Sequence, residues 1–131
     1  MFMKKAAIGL GLAMLAVGGN AWAGFKQGFP VVIHTSVNAF GGDIGAIRNT
    51  ADNMQFIQIT FEGRVIGNNS VMFFVRDASG NSAMCSSSDP KILEAAHSIT
   101  SDSAIMVYHD GAGSCNNVQV IATSVNPPKQ P

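Results

Sequence analysis

Tryptophan and tyrosine are almost missing from this chain, with one of each in 131 residues. Charge is also scarce: charged side chains make up 12% of the residues, eight basic and eight acidic. Nucleic acid and anionic membrane surfaces are held by clusters of Lys and Arg, so this balance argues against either as the main partner. There are only two cysteines and three histidines. Neither the cysteines nor His34, His97 and His109 fall at the C-x-x-C or H-x-x-x-H spacings of a redox or zinc site. No G-x-S-x-G elbow is present, no internal period of 20 to 50 residues marks a solenoid, and no apolar run reaches the ~20 residues of a membrane-spanning helix. These absences leave a small domain with no enzyme signature, no metal and no cofactor to expect.

What is present begins with an address. Lys4 and Lys5 precede an apolar stretch from Ala6 to Val17, followed by Ala21-Trp22-Ala23. A positive start, a short apolar middle and a small-x-small end predict a secretory signal over residues 1–23, cleaved after Ala23. Its removal takes the only Trp and two of the basic residues with it, leaving a slightly acidic chain. The expectation is one β-rich domain over 24–125, a flexible tail over 126–131 without core-forming residues, and a periplasmic or extracellular location. In such an oxidising compartment two cysteines most simply pair, so Cys85 and Cys115 are expected to form a structural disulfide.

Apolar alternation sets the elements. Val31–Val37 alternates as a strand, and the Gly- and Asn-rich stretch from Asn38 to Asn53 reads as a turn with one short strand near Ile44–Arg48. Gln55–Phe61 alternates again. Val71–Arg76 has too many adjacent apolar residues for a one-sided strand and predicts a central strand covered on both faces. Asp77-Ala78-Ser79-Gly80 is a hairpin turn leading to a strand that ends near Cys85. A helix starts at Asp89-Pro90, with Asp89 as N-cap and Pro90 at the first helical position, and runs to about Thr100. It presents Ile92, Leu93, Ala95, Ala96 and Ile99 to the sheet, leaving Lys91, Glu94, His97 and Ser98 to solvent. Ala104–His109 and Cys115–Ser124 close the domain as a hairpin across Asp110–Gly113. The predicted class is mainly β with one helix (α+β), a small antiparallel barrel or sheet.

This order, a β-meander followed by a helix and a β-hairpin, resembles that of small exported OB-fold proteins, among them the B subunits of bacterial AB5 toxins. The resemblance is carried by Val71–Ser124. The chain is also similar to uncharacterised small exported bacterial proteins with an RDASG turn, here Arg76–Gly80, a Cys on either side of the helix, and a D-x-x-G-x-C hairpin, here Asp110–Cys115. The toxin-like resemblance implies an OB-like barrel, homo-oligomer formation and glycan binding. It carries no sugar-contacting residue onto this chain.

Read residue by residue, the chemistry is thin. His34, His97 and His109 read as scattered surface or hydrogen-bonded histidines. His109-Asp110 are neighbours on a strand and point to opposite faces, so they make a poor catalytic pair, and turn formation explains Asp110. Ser86–Ser88 sits in a helix-capping context. Gly41-Gly42-Asp43-x-Gly45 lacks the Lys of a phosphate loop, and Asp43, Asn49, Asp52 and Asn53 lack the periodicity of a calcium loop. Asn68-Asn69-Ser70 fits a glycosylation acceptor, a pattern with little meaning if the leader is bacterial. Phe56, Phe61, Phe73 and Phe74 read as core. No catalytic residue is expected. The functional expectation is a small exported binding protein for an unknown glycan or protein. The alternative is a periplasmic structural or inhibitor protein gripping an exported hydrolase or an envelope protein through Asn38–Asn53 or Gly63–Ser70.

Overall fold

The computed structural model describes residues 28–124. The leader read over 1–23 and the tail read over 126–131 lie outside the described residues. Seven strands and two helices follow one another: β1 (Val32–His34), β2 (Ala39–Asp43), α1 (Ile44–Arg48), β3 (Phe56–Glu62), β4 (Ser70–Arg76), β5 (Ser82–Ser87), α2 (Pro90–His97), β6 (Ala104–His109) and β7 (Cys115–Ile121). They form two antiparallel sheets, one in the order β1-β2-β6-β7 and the other the meander β3-β4-β5. The class is mainly β with one main helix.

No closed barrel forms. The sheets meet along one side, where Ser86 and Ser114 make an isolated parallel bridge, the Ser86 amide donates to Gly113 O at 2.9 Å, and the Cys85–Cys115 disulfide holds Cα atoms 5.2 Å apart. On the other side β1 and β3 do not pair. A side-chain bond links that side, the Val31 amide donating to Gln55 Oε1 at 2.9 Å.

Between the sheets lies one apolar core. Phe40 and Ile105 from the first sheet meet Val71, Phe73 and Val75 from the second, all with no exposed surface. Helix α2 packs Ile92 and Ala96 onto it. The Asp89 side chain accepts from the Lys91 amide at 2.7 Å, satisfying one of the free donors of the first turn, and Pro90 follows it. At the β4–β5 turn Asp77 Oδ1 accepts from the Ser79 and Asn81 amides, and Gly80 takes φ 90°, a conformation that a side chain would strain.

Four expectations need correction. The first strand is only Val32–His34, because a 3-10 turn takes over at Thr35–Val37 and ends at Asn38 with φ 52°. Asn38–Asn53, expected as a turn with one short strand near Ile44–Arg48, instead holds a fully buried strand at Ala39–Asp43 and a short helix at Ile44–Arg48, started by the Asp43 cap. Strand β2 lies between β1 and β6, with Gly41 opposite Met106. Helix α2 stops at His97, three residues short of Thr100. Strand β4 is central, yet its burial alternates: Val71, Phe73 and Val75 face the core, and Met72, Phe74 and Arg76 are half-buried. Among the described residues no helix is long and apolar enough to cross a membrane.

Candidate functional site

Two hollows of similar size differ in whether their polar groups are free. The first, about 310 Å³, lies between α1 and the start of β3 and is lined by Ile44, Ile47, Arg48, Thr50, Asp52, Gln55, Phe56 and Ile57. Its polar side chains are already engaged. Arg48 donates to Ser101 O at 2.8 Å and pairs with Asp102 at 3.2 Å, and Thr50 donates to Ile47 O. Asp52 accepts from the Met54 and Gln55 amides and from the Gln55 side chain, each at 2.8 Å. These bonds to Gln55, then to Met54, hold its carboxyl at a pKa of about 2. A hollow whose donors and acceptors satisfy one another is part of the scaffold.

The second, about 290 Å³, opens where the end of β1, the start of β5 and the β6–β7 loop converge. Ile33, Ala39 and Ala83 supply apolar wall, and Met84, half exposed, forms part of the rim. His34, Thr35, Asn38, Ser82 and His109 supply the polar groups. His109 is seated by its ring contact with Phe40, centroids 5.7 Å apart, and its Nδ1 accepts from the Gly111 amide at 3.1 Å. That bond places the proton of the neutral ring on Nε2. Asn38 is the only non-glycine residue with positive φ among the described residues, and its carbonyl accepts from the His109 amide at 2.9 Å. No hydrogen bond to the described residues uses its carboxamide.

His34 and His109, read from the sequence as unrelated, therefore line one cleft, whereas His97 lies on the far end of α2. There its ring stacks on Phe61, centroids 4.4 Å apart and 10° from parallel. Phe61 is 43% exposed and is not a core residue. Phe56 and Phe74 are half-buried against each other, and of the four phenylalanines read as core only Phe73 is enclosed. Asp110 does serve the turn, its Oδ1 accepting from the Ala112 and Ser114 amides, which lower its pKa. Among the described residues no three His, Cys, Asp or Glu side chains stand together as a metal site.

Asp43, the N-cap of α1, is fully enclosed. Its Oδ1 accepts from the Ala46 amide at 3.2 Å, and its Oδ2 has no partner among the described residues. Burial raises its pKa above 3.8, more than the Ala46 and Gly45 amides lower it. A carboxyl raised in the folded state contributes stability below the unfolded value, and that contribution is lost as pH rises through the folded value. At neutral pH the ionised group is therefore a cost. Asp43→Asn keeps an oxygen for the cap and removes the charge. It should melt a few degrees above the wild type at pH 7, on the order of 1 kcal/mol, with the gap closing below about pH 3.8. Thermal melts across pH 3 to 8 check this, and a variant less stable at pH 7 would show that the carboxylate is paired.

Compared with protein-family models, with curated proteins and with solved structures, the chain finds no match.

Proposed function

We propose that this chain is a small exported binding protein, built as an OB-like, half-open barrel, that takes a glycan in the cleft between His34, Asn38 and His109. The observation that carries the reading is Asn38, which ends the 3-10 turn in a left-handed backbone and lines the cleft with a carboxamide that bonds to none of the described residues. The disulfide supports an oxidising compartment. The meander, helix and hairpin, with β5 bridged in parallel at Ser86 to Ser114 just before β7, support the OB-like description. Glycan-array screening of the purified protein, with its mass in solution measured by light scattering, tests the reading. Retention of at least one glycan and an oligomer are expected, and a monomer that retains none removes it.

A second reading rests on the β3–β4 loop. Val65 is fully exposed and Ile66 is 89% exposed, beside an Arg64–Glu62 ion pair of 2.9 Å. Bare aliphatic side chains at a loop tip suit contact with another protein, as an inhibitor would make. Of Asn38–Asn53, the other contact segment expected for that role, Ala39–Asp43 is buried in a strand, and Ala51–Asn53 is exposed. Val65→Ser with Ile66→Ser should abolish inhibition of an exported hydrolase if this reading is right. It fails if no such enzyme is inhibited by the unaltered protein.

A further inference from the structure

The cleft's free groups define a ligand class more narrowly than "glycan", and the inference that follows rests on the cleft being the binding site. His109 offers an Nε2–H, because Nδ1 is occupied by the Gly111 amide. Asn38 offers an amide N–H pair, and Thr35 and Ser82 offer hydroxyls. No Asp or Glu lines the cleft. The nearest carboxylate in sequence, Asp110, has Oδ1 committed to two amides of its own loop. These donors line one cleft whose wall holds no carboxylate, the charge of Asp110 reaching His109 from outside that wall, while Met84 and Ile33 leave an apolar surface beside them.

Such an arrangement suits a planar or tetrahedral anion carried on a ring of monosaccharide size, since charge-assisted hydrogen bonds are the stronger kind. A volume near 290 Å³ sits at the small end of ligand pockets. We infer that the cleft binds a saccharide bearing an anionic group, with Asn38 Nδ2 and His109 Nε2 as the donors to that group. Asn38 is the position where the backbone itself argues for the role. Glycine accepts φ 52° without strain, and an asparagine there retains a side chain at some conformational cost.

The test is an amide-shift NMR titration of the purified protein with methyl β-glucuronide, glucose 6-phosphate and methyl β-glucoside. The amides of Asn38, Ser82 and Gly111 should move, with at least tenfold tighter binding of one or both anionic sugars than of the glucoside. The carboxylate and phosphate arms tell which anion the cleft prefers. Asn38→Gly should weaken the anionic sugar about tenfold and melt no lower than the wild type, so loss of binding cannot be confused with loss of fold. Glucoside binding as tight as the anionic sugars overturns the anion assignment and leaves the binding reading standing. Silence at these three amides with all three sugars, or an unaltered affinity in Asn38→Gly, overturns the assignment to this cleft, whatever the array retains.

Discussion

Replacing Cys85 and Cys115 together by alanine should lower the melting temperature by roughly 15–30 °C, equivalent to about 3–4 kcal/mol for a loop of this length in a domain of this size. The bridge closes a separation of 30 residues, and both cysteines are buried. Its position matters as much as its loop. It is the covalent part of the strand-to-strand junction that joins the two sheets among the described residues, reinforced by the Ser86–Ser114 bridge and the Ser86 amide bond to Gly113. Each half of the structure buries its apolar face against the other, so loosening this junction exposes Phe73 and Ile105 together. Scanning calorimetry with and without a reducing agent checks the prediction. Reduction should move the wild type to the temperature of the double variant and leave the variant unmoved. A shift below about 5 °C would mean that apolar packing alone holds the sheets.

Gly41→Ala should be nearly as damaging, costing about 3 kcal/mol or more and at least about 12 °C in melting temperature. Strand β2 packs so closely on β6 that a Cβ at Gly41 would collide with the Ile105 carbonyl oxygen and lie 2.9 Å from Met106 Cα. Both obstacles are backbone, so no rotamer change relieves them, and the central pair of the first sheet must part. Denaturant unfolding of the variant measures the loss. A cost under 1 kcal/mol would show that β2 and β6 separate easily, and the same substitution at Gly63, whose φ is not left-handed and where a Cβ would meet only Asn69 Oδ1 at 4.0 Å, provides a site without steric conflict.

Gly41 also explains why part of the fold was hard to read in advance. Glycine in a row with glycine and aspartate ordinarily marks a turn, and the reason these residues form a strand is a close approach by β6, which lies far along the chain. Helix α1 was hidden for a related reason. Five residues show no helical period, and its start depends on the cap made by Asp43 at the end of a strand not yet recognised. The elements from β4 to β6 were legible because their signals are local: alternation in Val71–Arg76, the Asp and Gly of the β4–β5 turn, and the Asp-Pro start of α2. The disulfide was legible from compartment and cysteine number. The cleft was not legible, since His34 and His109 meet only through the β1-β2-β6 pairing, and nothing in either residue's neighbours announces the other. Phe61 misled because an aromatic residue on an alternating strand looks like core until the strand is placed at a sheet edge.

The placement of β2 has a kinetic side. Strands β3, β4 and β5 join through neighbours in sequence, whereas Ala39 must find Tyr108, roughly 70 residues later. Closing that loop costs about 2–3 kcal/mol more chain entropy than a tight hairpin. Native-like pairing of this separation slows folding relative to local pairing. The meander therefore has the shorter search, and β2 waits with Phe40 uncovered until α2 and β6 have followed it. Until that pairing is made, this one apolar strand is the part of the chain most open to contact with other chains.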